Sequence, residues 1–213
     1  MTQFYNMSKC NPTRSSLFTG LVKGDERAVS FVSLLKEAGY ATLHSGKEHF
    51  DKWVPERCYA KHTCDHSLTF WATTEYFIPP DGTFQRPFYL EGDEVEATTL
   101  KARQQPFYKT DVFTDYALGW LDETLEQDKP FYLALPYHSA HYPLQARPED
   151  IQKYRGAYRR GWEVIRQERF AQQKELGVIP EHAKLSPPEG NINKFRGHPK
   201  DSFEEREKFS KYR

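Results

Sequence analysis

The sequence predicts an α/β fold, a mainly parallel sheet with helices on both faces. Three observations predict it. Residues 26–38 and 109–127 each carry an apolar stripe at helical spacing, and each stripe is followed by a short strand-like run, 40–44 and 131–135. The second run, Phe131-Tyr132-Leu133-Ala134-Leu135, is almost wholly apolar, as expected of a strand covered on both faces. Both runs end in polar, histidine-bearing loops, where open α/β sheets collect their sites.

The composition limits the function classes. A chain of 213 residues is long enough for one domain with a real core, or for part of a larger one. Its 30 basic and 30 acidic residues cancel, so no global field points to nucleic acid or a membrane surface. Hydrophobic residues are only 38% of the chain, but aromatics make up 15% and supply large buried areas. No apolar run approaches a membrane span, and the first residues lack a basic-then-apolar signal pattern. The cysteines at 10, 58 and 64 leave at least one unpaired; Cys58 and Cys64 either pair or both remain thiols.

Taken in order, residues 2–6 read as a short strand feeding the stretch Cys10-Asn11-Pro12-Thr13-Arg14-Ser15-Ser16-Leu17-Phe18-Thr19-Gly20. Pro12 suits a first helical turn, Ser15 and Ser16 are candidates to bond free backbone donors, Leu17 and Phe18 offer surface to bury, and Gly20 ends the helix. A side chain at such a helix start faces N–H groups and the positive end of the dipole, and Arg14 adds a charged fork one turn along. The stripe 26–38 stops at Gly39; strand 40–44 then runs into the loop Ser45-Gly46-Lys47-Glu48-His49.

Residues 50–90 are rich in aromatics, with strands expected over 69–78 and 83–90 around the turn Pro79-Pro80-Asp81-Gly82. Cys58, His62, Cys64 and His66 lie close in sequence, but their spacing does not match paired zinc-ligand patterns. Thr110 is placed to cap the helix over 109–127, which carries Phe113, Ala117, Trp120, Leu121 and Leu125 on one face. After strand 131–135 comes the loop Pro136-Tyr137-His138-Ser139-Ala140-His141-Tyr142-Pro143-Leu144-Gln145. Helical pieces are expected over 149–154 and 162–176, broken near Gly156 and Gly161. From Pro180 the chain turns polar, so 1–180 reads as the domain and 181–213 as its polar tail.

The first stretch resembles the sulfatase signature, Cys-x-Pro-x-Arg followed by small residues, Leu and Thr-Gly. Two further stretches are similar to the same family. One is Gly46-Lys47-x-His49, with Glu48 where Trp is usual; the other is the His141-x-Pro-Leu-Gln loop, with Ser139-Ala140 where Ala-Pro is usual. The resemblance implies an incomplete alkaline-phosphatase-like fold and a hydrolase of sulfate esters. It makes Cys10 the precursor of a formylglycine nucleophile, produced by a formylglycine-generating enzyme. Arg14 and Lys47 would hold the hydrated aldehyde and sulfate oxygens, His49 would take a hydroxyl proton to expel sulfate, and His141 would protonate the leaving oxygen. His138 is an extra histidine, either structural or supporting an active-site residue from behind.

The resemblance also implies calcium bound to the oxygen derived from Cys10, a small-molecule or saccharide sulfate ester as substrate, and a periplasmic or secreted setting. The family's metal-binding Asp pair would precede Met1 and its Asp-Asn pair would follow Arg213. The chain therefore reads as an internal fragment whose isolated form turns over poorly. A phosphoester or phosphonate hydrolase of the same superfamily, or a non-catalytic anion-binding remnant, is the alternative.

Overall fold

The computed structural model describes residues 6–22, 28–49, 59–70, 76–77, 87–141 and 144–187. The chain divides into two compact units, one spanning Tyr5–Gln145 and the other containing residues 146–187. The strand expected over 2–6, the turn 79–82, Cys58 and most of the tail lie outside the described residues.

Helix α1 (Cys10–Thr19) begins after an extended Lys9, so Cys10 and Asn11 lie in the opening turn. Pro12 lies in that turn too, where its missing N–H leaves no intrahelical bond unmade. Gly20, at φ 72°, closes the helix by donating its N–H to the Ser16 carbonyl. The serines do not cap. Lys9 at the N-cap makes no side-chain cap bond, and Ser15 is buried with its carbonyl accepting from the Thr19 hydroxyl at 2.7 Å. Phe18 is buried and stacks on Phe31 at 5.5 Å, whereas Leu17 faces outward at 58% exposure, so only one of the two apolar residues anchors the helix.

Helix α2 (Phe31–Glu37) is shorter than its stripe because Ser30 starts it, its hydroxyl accepting from Val32 N at 3.2 Å. Strand β1 (Ala41–Lys47) is longer than expected and buried throughout. It takes in Ser45, Gly46 and Lys47, which the sequence places in a loop. The extension is held by the Lys47 N–H, which donates to the Pro136 carbonyl at 2.8 Å. Such an approach requires Gly46. Its φ is 140°, and a Cβ there would collide with the Pro136 carbonyl group.

The remaining strands are β2 (His66–Phe70), β3 (Phe88–Leu90), β4 (Asp93–Val95) and β5 (Phe131–Ala134), in the order β4-β3-β2-β1-β5. β1 runs parallel to both its neighbours, with Leu43 opposite His66 and Leu133. β3 and β4 extend the sheet antiparallel, so the sheet is mixed. β5 differs from the inner strand its apolar run predicts. It borders the sheet formed by the described residues, and Phe131 is 42% exposed. Helix α3 (Tyr59–Thr63), strand β4 and a 3-10 turn over Ala97–Thr99 lack the sequence length to announce themselves.

Helices cover both faces. On one, Val112, Phe113 and Trp120 of α4 (Lys109–Leu125) pack with Leu43, Leu68, Phe70 and Phe88. On the other, Phe18, Val32 and Ala60 pack with Cys64 and Ala134. The alternation of the strands explains the split, since Leu133 joins the first cluster and its neighbours Tyr132 and Ala134 the second. Tyr108, rather than Thr110, precedes α4, and the Thr110 hydroxyl is instead 3.2 Å from that of Ser139.

In the second unit, α5 (Pro148–Lys153) opens with proline, Glu149 and Asp150. Helix α6 (Trp162–Glu175) follows Gly161 at φ 89°. Arg160 pairs with Glu168 through both guanidinium nitrogens, and Arg166 bonds Glu163 and Ser186, the salt-bridged face that mixed charge predicts.

Gly46→Ala should destabilise the fold by roughly 1–3 kcal/mol, since it adds both backbone strain and a clash with backbone rather than with a flexible side chain. A fall in the urea midpoint at unchanged m checks this; an unchanged midpoint would show that the β1–Pro136 junction can move aside.

Candidate active site

The site is assembled where α1 meets the C-terminal ends of β1 and β5. β1 ends in Lys47, and the chain then turns at His49, whose φ of 60° lies in the left-handed region. That turn brings the imidazole back to the helix start. His49 Nδ1 lies 3.3 Å from Cys10 Sγ, within hydrogen-bond reach, and Asn11 Nδ2 donates to the His49 carbonyl at 3.5 Å. Arg14, one turn along α1, donates from one guanidinium nitrogen to the Lys47 carbonyl at 2.8 Å. A groove of about 640 Å³ opens beside Cys10 and Arg14, with Lys9, Leu17, Tyr132 and Pro136 on its walls.

Positive groups gather here, with one acidic residue, Glu48, buried next to Lys47 in sequence. Lys47 is buried, and among the described residues its ammonium has no carboxylate partner; the same is true of Arg14. Burial lowers the pKa of both, opposed by Cys10, whose thiolate would favour the two cations. His49 is pushed down first by burial and then by Lys47, Arg14, His141 and Lys9. His141 is near enough to contribute to that shift.

The loop after β5 supplies His138 and His141, whose rings stack 5.3 Å apart. Tyr76 pins this loop by donating its hydroxyl to the His141 carbonyl at 2.6 Å, and its N–H goes to Gln145 Oε1 at 2.7 Å. Cys10, Arg14, Lys47, His49 and His141 are thus brought to one neighbourhood. Sequence reasoning missed Lys109, which is buried at the start of α4 with its ammonium 4.4 Å from the centre of the Phe70 ring. A lysine beginning a helix is ordinary in sequence, and nothing marks it as buried. Cys64 and His66 lie elsewhere; Cys64 packs with Phe18 and Val32, and His66 pairs with Glu91 at 3.1 Å and stacks on Trp120.

The family model for sulfatases matches residues 1–197. The chain belongs to the sulfatase family. An uncharacterized sulfatase of Schizosaccharomyces pombe is 30% identical across 89% of this sulfatase chain, and the arylsulfatase of Klebsiella aerogenes is 25% identical across 87%. The chain spans 40% and 44% of their respective lengths. Among solved structures, Ps i-CgsB in complex with k-i-k-neocarrahexaose matches with a TM-score of 0.55 and 23% identity, over 68% of this chain and 38% of that one. The putative sulfatase YidJ of Bacteroides fragilis matches with a TM-score of 0.50 and 15% identity, over 87% and 42%. These likenesses establish a shared fold.

Two buried histidines make the stability of this sulfatase chain depend on pH. Burial, chiefly, lowers the pKa of His44 from 6.5 to about 4; that of His138 is lowered to about 3 by burial and then by Lys109, Lys47, His141 and Arg14. Below about pH 6.5 the unfolded chain therefore binds more protons than the folded one, and stability falls as pH drops toward those values. Urea unfolding at pH 7 and pH 4.5 should show this loss, and His138→Phe should make it shallower. An equal slope in the variant would mean that His138 is not held neutral by the fold.

Proposed function

We propose that Cys10, once oxidised to formylglycine, is the nucleophile of a sulfuric ester hydrolase, with Arg14, Lys47, His49 and His141 serving it. The observation that carries this reading is the pair of cations, Arg14 and Lys47, beside Cys10 at a helix start with no carboxylate partner among the described residues. Desolvated cations without a counter-charge are unfavourable by themselves. An oxyanion held beside Cys10 relieves them.

Formylglycine, when hydrated, supplies a hydroxyl that attacks sulfur. Arg14 and Lys47 orient the sulfate oxygens through charge-assisted bonds and stabilise the charge that grows on them. His49, already 3.3 Å from the Cys10 sulfur, is placed to receive the second hydroxyl's proton as sulfate leaves. Its lowered pKa keeps it neutral and able to accept. His141 donates a proton to the departing alcohol or phenol oxygen. The Klebsiella relative's designation as an arylsulfatase supports an aryl sulfate as the first substrate to try.

Calcium does not fit the residues described. An oxygen-loving cation needs about six or more oxygen ligands, whereas no group of three or more His, Cys, Asp or Glu side chains able to hold a metal occurs among the described residues.

Coexpression with a formylglycine-generating enzyme should replace the Cys10 thiol by an aldehyde in the peptide mass spectrum, while Cys58 and Cys64 stay unconverted. The purified chain should bind inorganic sulfate, with Arg14→Gln and Lys47→Met each weakening it by about tenfold or more. A chelator should leave that affinity unchanged. Unaltered binding in both variants would overturn the site, and turnover of an aryl phosphate in preference to the sulfate would move the chain to the phosphoester reading.

A further inference from the structure

We propose that His138 is a positioning residue: its ring is a wedge that sets the plane of His141 over the anion pocket. The inference rests on the reading of His141 as a group that meets the sulfate ester. His138 is only 4% exposed, and neither ring nitrogen has a hydrogen-bond partner among the described residues. A buried, unsatisfied imidazole costs stability, and an aromatic hydrocarbon of similar shape would not incur that cost.

The packing defines what the ring does. It lies nearly parallel to His141, with an interplanar angle of 15°. Its edges meet Phe70 at 87° and Tyr76 at 70°, with centroid separations of 5.3 and 5.0 Å. Phe70 is in turn stacked on Phe113 of α4 at 5.6 Å, so the wedge is backed by the core rather than by loop. Tyr76 contributes twice, touching the His138 ring and holding the His141 carbonyl with its hydroxyl. His141 is thereby fixed at its backbone by one group and at its ring face by another.

Burial first, and then Lys109 of α4, Lys47 of β1, His141 and Arg14 of α1, keep His138 neutral, and the Phe70 and Tyr76 rings pack against it. His138 is thus an uncharged plate against the His141 ring.

The test compares the full chain with His138→Phe, which keeps the plate and removes the nitrogens, and with His138→Ala, which removes the plate. The readouts are the ring proton–nitrogen correlations of His141 by NMR and the affinity for inorganic sulfate. In His138→Ala the His141 signals should broaden or split and sulfate binding should weaken by about three- to tenfold, the range of a lost aromatic pair. His138→Phe should rescue both and melt higher than the parent. Unchanged His141 signals in His138→Ala would overturn the proposal. Equal damage from Phe would also overturn it, because the ring nitrogens rather than the plate would then matter. If the parent chain binds no sulfate, the anion-pocket reading fails, yet the His141 signals still decide whether His138 positions that ring.

Discussion

The closeness of Gly46 to Pro136 governs the geometry of this chain. A hydrogen between two backbones, where any other residue would place a carbon, lets the end of β1 lie against the turn that leaves β5. The Lys47 N–H then finds the Pro136 carbonyl, and two strands that pair in parallel from Ala41 to His44 are tied together beyond their ladder. Lys47 ends one strand with His49 just beyond it, and His138 and His141 follow the other. Their encounter is a consequence of this junction, because parallel strands deliver their C-terminal loops to the same edge.

Helix α1 meets that edge from outside the sheet. Its hold is modest in area but specific. Phe18 packs into the cluster with Val32 and Ala134, Arg14 bonds the Lys47 carbonyl, and Cys10 and Asn11 meet His49. The polar contacts join α1 to the end of β1 and to His49 just beyond it, tying Cys10 and Arg14 to that strand end. The left-handed turn at His49 makes this possible by reversing the chain within two residues of the strand end.

The electrostatic character follows from the same crowding. Arg14, Lys47 and Lys109 are drawn toward a region with three histidines, and burial strengthens their mutual repulsion. The protein accommodates this by keeping His49 and His138 neutral and by laying Lys109 against the Phe70 and Phe88 rings. Arg14 and Lys47 are left beside Cys10 without a carboxylate partner among the described residues.

Much of the site was legible in the sequence because chemistry-bearing residues came in local groups with regular neighbours. Cys10 with Pro12 and Arg14, Lys47 with His49, and His141 with Gln145 each sit beside a recognisable helix or strand, and local periodicity reports such elements well. The existence of β1, β5, α2 and α4 was readable for the same reason. Three features were decided only by tertiary structure. Leu17 and Phe18 are equally apolar, and only the position of Phe31 determines which is buried. The apolar run of β5 does not reveal that it borders the sheet formed by the described residues, because neighbours in a sheet are set by pairing across long stretches of chain. The wedge role of His138 and the burial of Lys109 depend on Phe70 and Tyr76, which lie 68 and 62 positions before His138 in sequence. A sequence determines which groups are available and what local shape they prefer; which of them meet in space is decided by the packing of distant segments.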